Sequence, residues 1–81
     1  MSPDAARVLA KLCDASPEPG GRIPLRRLAV QTLGGDWPAA LGALEDLDTS
    51  GYIRAEIAGW IEGWVTERGR AVHRARFEGQ A

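Results

Sequence analysis

Residues 37–70 constrain the fold of this chain more than any other part of it. Apolar residues recur at helical spacing over 37–47, a turn follows at 48–51, and two short apolar runs at 52–57 and 61–66 are typical of strands. The predicted buried face of the helix consists of Trp37, Ala40, Leu41, Leu44 and Leu47. The order of these patterns predicts a helix followed by a β-hairpin at the centre of the fold.

The alternation of apolar residues along the two runs predicts the register of the hairpin. A three-residue connection, 58–60, places every aliphatic side chain on one face, as the two-residue repeat of a strand requires. The predicted facing pairs are Ile53 with Val65, Ala55 with Gly63, Ile57 with Ile61, and, less favourably, Glu56 with Glu62. Leu44 and Leu47 are then expected to meet Ile53 and Val65 beneath the hairpin. The outer face carries Arg54 beside Trp64, a predicted cation–π pair, and Trp60 lies at the tip.

Three further helices are predicted around this centre. Ser2 and Pro3 begin the first helix, and Pro24 begins the second, 25–33, which is preceded by a possible two-residue strand at 22–23. Thr66 caps the last helix, 67–77, whose inner residues are expected to be Ala71, Val72 and Ala75 and whose arginines, including Arg70, face solvent. The tail at 79–81 is expected to fray. Gly34 and Gly35 form a turn, and Asp36 caps the helix that follows it.

Two stretches of the chain are similar to a known family. The leucine-rich helix, Gly51-Tyr52-Ile53, the hairpin and Val65-Thr66-Glu67-Arg68-Gly69-Arg70 resemble the second half of a winged helix–turn–helix domain of the multiple-antibiotic-resistance repressor (MarR-like) class. Ile23-Pro24-Leu25, followed by Leu28-Ala29, resembles the first helix of that motif. The resemblance implies an α+β fold in a single domain, 1–81, with a three-helix core, a two-stranded wing and a C-terminal helix. It also implies a dimeric DNA-binding transcription regulator that uses 37–47 as its recognition helix.

The bulk composition narrows the possible functions. The 81 residues carry a net charge of −1, so the chain lacks the strongly basic character of many DNA-binding domains. One cysteine and one histidine provide neither an internal disulfide nor a structural zinc site. Catalytic constellations and phosphate-binding loops are also lacking in the sequence, so we expect neither an enzyme nor a cofactor. The N-terminus does not resemble a leader, and apolar runs stay well below membrane-spanning length, so a cytoplasmic protein without membrane contact is expected.

The distribution of charge is more informative than the total. Residues 19–35 contain three arginines and no acid, whereas 36–48, the third helix, contain four acids and no base. Its predicted outward strip, Ala39, Gly42, Ala43 and Asp46, lacks the side chains that read base edges. Binding to double-stranded DNA would therefore depend mainly on backbone contacts. The residues expected to make such contacts are Arg22, Arg26, Arg27, Gln31 and Arg54.

The three tryptophans indicate a second function. Trp37 is predicted to belong to the core, but Trp60 and Trp64 are hard to bury in the predicted register, and tryptophan is enriched at interface hot spots. Trp60, Trp64 and Asp46 would then form an interface with a second copy or with another protein. The residues themselves favour protein interaction, but the family resemblance ranks DNA binding slightly ahead, with protein interaction as the alternative.

Overall fold

The computed structural model describes residues 1–16, 18 and 20–79, with side chains up to residue 76. The described part of the chain is an α+β fold of four helices and a two-stranded antiparallel sheet. In chain order the elements are α1 (Pro3–Ala15), α2 (Leu25–Thr32), α3 (Trp37–Thr49), β1 (Ile53–Ala55), a 3₁₀ turn (Ala58–Trp60), β2 (Gly63–Val65) and α4 (Glu67–Gly79). Gly79 is thus helical, and residues 80 and 81 of the tail predicted to fray lie outside the described residues.

Side-chain caps begin three of the four helices, as the sequence predicts. Ser2 caps α1, Asp36 caps α3 and Thr66 caps α4, and each side-chain oxygen accepts the backbone N–H three residues further on, at 3.1 Å. These bonds satisfy amide groups that have no partner inside the helix. The three predicted helix starts are confirmed.

The core lies between the three N-terminal helices and the inner face of the hairpin. Leu44, Leu47, Ile53 and Val65 are each 0% exposed and belong to one cluster, which confirms the predicted meeting of α3 with the hairpin. The other buried apolar residues are Ala5, Val8, Leu9, Leu12, Ile23, Leu25, Ala29, Ala40 and Ala43. Apolar residues packed against this core but only partly buried include Cys13, Leu28, Leu33, Trp37 and Trp60.

The two strands pair in the predicted register over three residues each. The partners are Ile53 with Val65, Arg54 with Trp64, and Ala55 with Gly63. Gly63 also forms a two-way bridge with Ile23, in which the N–H of each donates to the carbonyl of the other, at 2.8 and 3.1 Å. A side chain at Gly63 would meet the carbonyl of Arg54 and, at 2.6 Å, Cδ1 of Leu25. Glycine therefore lets α2 and three backbone segments meet at this point.

The hairpin tip differs from the prediction. Ile57 and Ile61, predicted to face inward as a pair, are 44% and 49% exposed, whereas Trp60 is half-buried against the core. Gly59 (φ 79°) and Trp60 (φ 58°) adopt the left-handed conformation, which ends the strand alternation and turns the indole inward. The indole Nε1 then donates to a carboxylate oxygen of Asp48 at 3.0 Å.

The third helix is rotated relative to the prediction. Ala43, expected at the surface, is 3% exposed, and Leu41, expected in the core, is half-buried. Apolar residues cover most of the circumference of this helix, so its sequence pattern does not fix which side is buried. The residues that lie exposed along α3 are Pro38, Gly42, Glu45 and Thr49.

The fourth helix also presents a different face to the protein. Ala71 and Ala75, predicted inward, are exposed, and Val72 is half-buried. Arg70, predicted to face solvent, turns inward instead: its Nη2 donates to the carbonyl of Ser16 and, at 2.8 Å, to that of Glu18. The guanidinium donates hydrogen bonds to backbone carbonyls of the loop after α1. The local sequence pattern of α4 does not indicate this need, because the loop is distant in sequence.

Candidate functional site

An open groove of about 570 Å³ lies beside α2, and we call it the α2 groove. It is bounded by α2, by the first residue of α3 and by the hairpin tip. The residues that line it are Pro24, Arg26, Arg27, Val30, Gln31, Trp37 and Ile61. An apolar floor with a few polar groups is typical of a binding site.

The packing of α2 determines which of its side chains reach the groove. Leu25 and Ala29 are completely buried and anchor one side of the helix to the core. Residues 26, 27, 30 and 31 consequently lie on the opposite side, because helical neighbours recur every three to four positions. Arg26, Arg27 and Gln31 are exposed there, and Val30 is half-buried.

Arg26 and Trp37 are in direct contact in the α2 groove. The guanidinium carbon of Arg26 lies 4.1 Å from the centre of the Trp37 ring, which is a cation–π distance. Trp37 is the first residue of α3, directly after the capping Asp36. Stacking covers the face of the guanidinium, and its N–H groups lie in the plane, where they are able to bind a carboxylate.

Ile61 supplies the exposed apolar edge of the α2 groove. It follows Trp60, whose left-handed conformation and bond to Asp48 fix the position of the tip. At 49% exposure it is among the large apolar side chains most open to solvent in the described residues. Ile57, on the other side of the tip, is similarly exposed but does not line the groove.

The charged side chains of the α2 groove and of α3 form no ion pair among the described residues. Among the described residues the ion pairs join Arg7 to Asp4 at 3.9 Å and Arg22 to Glu56 at 2.8 Å. Neither pair uses Arg26, Arg27 or a carboxylate of α3. The α2 groove therefore presents two exposed arginines, and the exposed side of the neighbouring α3 presents Glu45, each open to a partner of opposite charge.

The residues predicted to bind DNA do not form one surface. Arg26, Arg27 and Gln31 meet in the α2 groove, but Arg22 is held by Glu56. Arg54 lines a different hollow, which also contains Trp64 and Arg68. Arg54 and Trp64 are cross-strand partners, but the cation–π pair predicted for them is not found among the described residues. Arg68 instead lies 5.7 Å from the ring centre of Tyr52.

The residues predicted to form a protein interface are also separated. Trp60 is bound to Asp48, Trp64 is half-buried in the hollow with Arg54, and Asp46 accepts the backbone N–H of Ser2 at 3.4 Å. Sequence reasoning missed Ile61, which alternation places inside, and Trp37, which was assigned to the core. Arg26 and Trp37 are eleven positions apart, so no local sequence pattern predicts that they are in contact.

A second hollow contains Cys13, Asp14, Arg70, His73 and Arg74. Burial raises the pKa of the Cys13 thiol, Arg70 opposes the rise, and Asp14 adds to it. A raised pKa keeps the thiol protonated and makes it a poor nucleophile. The described residues contain no group of three or more histidine, cysteine, aspartate or glutamate side chains suited to a metal ion.

Comparison with known proteins identifies no family for this chain. The chain matches no protein-family model, no curated protein and no solved structure. Within the described residues, every helix is too short or too polar to cross a membrane. The residues of the chain itself therefore provide the basis for assigning a function.

Proposed function

We propose that this chain is a winged-helix module that binds a protein segment in its α2 groove, and that it is neither an enzyme nor a reader of DNA sequence. The order of four helices and one hairpin agrees with a winged-helix layout, with α2 and α3 as the helix–turn–helix and the hairpin as the wing. Fold does not determine function, so the α2 groove carries the proposal.

The observation that carries it is the composition of the α2 groove. Trp37 and Ile61 offer apolar surface beside two arginines that have no acidic partner among the described residues. Tryptophan and arginine are enriched at interface hot spots, and apolar surface rimmed by polar residues is typical of an interaction site. The fitting occupant is a segment with a large apolar side chain flanked by carboxylates.

The exposed strip of α3 argues against sequence reading. Pro38, Gly42, Glu45 and Thr49 include no arginine, lysine, asparagine or glutamine, which are the side chains that most often contact base edges. Three further acids lie in or next to this helix, at 36, 46 and 48. In a winged helix this strip would enter the major groove, where the carboxylate of Glu45 would face phosphate and be repelled.

A binding experiment with a synthetic peptide tests the proposal. The peptide is helical, with leucines on one face and glutamates on the other, and binding is followed by tryptophan fluorescence. We expect saturable binding that weakens at least about tenfold in Ile61→Asp, because an added carboxylate removes apolar contact and repels the peptide.

Ile57→Asp is the matched control, since Ile57 is similarly exposed at the same hairpin tip but lies outside the α2 groove. Circular dichroism checks that both variants remain folded. Equal loss of binding in the two variants, or binding that neither variant changes, would refute the assignment of the α2 groove.

DNA binding is the second candidate function, and one observation favours it. Arg26, Arg27 and Gln31 share an exposed surface within a stretch of sequence that contains no acid. Such a surface suits phosphates rather than bases, so affinity would fall steeply with salt and depend little on sequence. A gel-shift assay with random duplex at low salt tests it: a shift lost in Arg26→Glu with Arg27→Glu, and kept in Ile61→Asp, would support DNA binding.

A further inference from the structure

We infer that the occupant of the α2 groove is a second copy of this chain, which inserts the exposed strip of its α3. The inference rests on the proposed function and names the partner of the same site. Each chain contributes one basic groove and one acidic helix, so a pair of chains forms the same contact twice.

The exposed strip of α3 has the shape required for close approach. Pro38, Gly42, Glu45 and Thr49 recur along one side of the helix, and a methyl group added at Gly42 would meet nothing within 4 Å. A partner surface is therefore able to approach the helix backbone at this point. The half-buried Leu41, next to the strip, adds an apolar side chain for contact with Ile61 of the other copy.

The charges of the two surfaces are complementary. The α2 groove holds Arg26 and Arg27, and the exposed strip of α3 holds Glu45, whereas the other three acids of residues 36–48 accept hydrogen bonds within the chain. Ion pairs inside the described part of the chain leave Arg26, Arg27 and Glu45 without a partner. Contact between the α2 groove of one copy and α3 of the other brings these opposite charges together, which steers association and fixes its orientation.

The positions of the two surfaces suit a two-fold dimer. α2 and α3 pack directly on each other, and Trp37, the first residue of α3, already lines the α2 groove. A two-fold axis beside these helices places each α3 on the other chain's groove and closes the assembly at two copies. A chain of 81 residues has a small core, so covering Ile61 and Trp37 also adds to its stability.

A charge-exchange experiment tests this pairing by sedimentation velocity. One variant carries Arg26→Glu with Arg27→Glu, and the other carries Glu45→Arg. We expect the wild-type chain to dimerise and each variant alone to dimerise at least about tenfold more weakly, because like charges then meet at both contacts. Mixing the variants restores dimers, since the acidic groove of the first meets the arginine of the second, and the second contact keeps its wild-type charges.

The matched control is Arg74→Glu with Arg76→Glu, which reverses the same number of exposed arginines on α4. We expect it to dimerise like wild type and not to be rescued by the Glu45→Arg chain. A wild-type chain that stays monomeric up to millimolar concentration, or a mixture of variants that stays monomeric, would overturn the inference. If the leucine–glutamate peptide still binds in an Ile61-dependent way, the proposed function survives such a result. If neither dimerisation nor peptide binding is observed, both the inference and the proposed function are refuted.

Discussion

Gly63 is the residue at which the packing leaves least room. The described structure places the carbonyl of Arg54 and the side chain of Leu25 where a β-carbon would lie, and Gly63 also pairs with Ile23. Gly42, by contrast, has open space around it on an exposed helix side. The two glycines therefore have opposite structural roles, although neither has a left-handed backbone.

Replacing these glycines with alanine is expected to change stability in opposite directions. Gly63→Ala overpacks the meeting point of α2 and the hairpin and should lower the free energy of unfolding by about 2 kcal/mol or more. Gly42→Ala should raise it by roughly 1 kcal/mol, because alanine is the better helix former. Urea denaturation of both variants at low protein concentration measures this. A Gly63→Ala protein as stable as wild type would contradict the packing described for the hairpin.

Cys13 makes stability depend on pH in a predictable direction. Burial raises the pKa of its thiol, so the unfolded chain loses this proton at a lower pH than the folded one does. Below the usual thiol pKa the group is protonated in both states and has no effect. As pH rises through that value towards the raised folded pKa, ionisation favours the unfolded state and stability falls.

The measurement is the urea midpoint of wild type and of Cys13→Ala at about pH 7.5 and about pH 9.5, on either side of the usual thiol pKa. We expect the midpoint to fall more in wild type than in the variant, because the variant keeps all the other titrating groups. An equal fall in both proteins would mean that Cys13 does not contribute.

The errors of sequence reasoning at single residues have a common cause. The alternation of inward and outward side chains predicts that Ile57 and Ile61 face inward, but the left-handed Gly59 and Trp60 end this alternation. The Trp60 indole donates instead to Asp48, twelve positions away. Local patterns do not report such distant hydrogen-bond partners. Exposed Ile61, and with it the α2 groove, was not predictable for this reason.

Helix starts were predictable at the level of elements, whereas helix rotation was not. A cap is a contact over three residues, so Ser2, Asp36 and Thr66 were identifiable from sequence alone. The rotation of α3 depends on how two other helices and the hairpin share its apolar surface. Its exposed strip therefore differs from the predicted one, with Pro38, Glu45 and Thr49 in place of Ala39, Ala43 and Asp46.

Arg70 connects two elements and should matter more than its neighbours on α4. Its guanidinium binds backbone carbonyls of Ser16 and Glu18, in the loop after α1. Arg70→Met keeps much of the side-chain volume but leaves these carbonyls without this donor. We therefore expect the free energy of unfolding to fall by about 1–3 kcal/mol.

Arg74→Met is the matched control, because Arg74 is exposed on the same helix, and its effect should stay within about 0.5 kcal/mol. Thermal and urea unfolding of the two variants compare them directly. If Arg70→Met and Arg74→Met lower the free energy of unfolding by the same amount, the contact of Arg70 with the loop does not stabilise the fold.

For the molecule as a whole, the separation of charge predicts two different responses to salt. The ion pairs within the described residues are exposed, so raising sodium chloride from about 0.05 to 0.5 M should change the free energy of unfolding of the monomer by less than about 1 kcal/mol. The proposed association of two copies would use charges that form no ion pair among the described residues of one copy. Its dissociation constant should therefore rise at least about tenfold over the same range.

Sedimentation velocity and urea unfolding in the same salt series give both quantities. Self-association that strengthens with salt would point to a purely apolar contact and would exclude the pairing of the α2 groove with α3.

The position of Gly63 between Ile23 and Ala55 also limits where another chain is able to add a strand to this sheet. Both borders of β2 are occupied at that residue, so strand addition is left to the outer border of β1. That border spans three residues, with the charged Arg54 at its centre. So short and charged an edge is a poor template for another chain, which should protect the hairpin from fibril formation even when the apolar tip is uncovered.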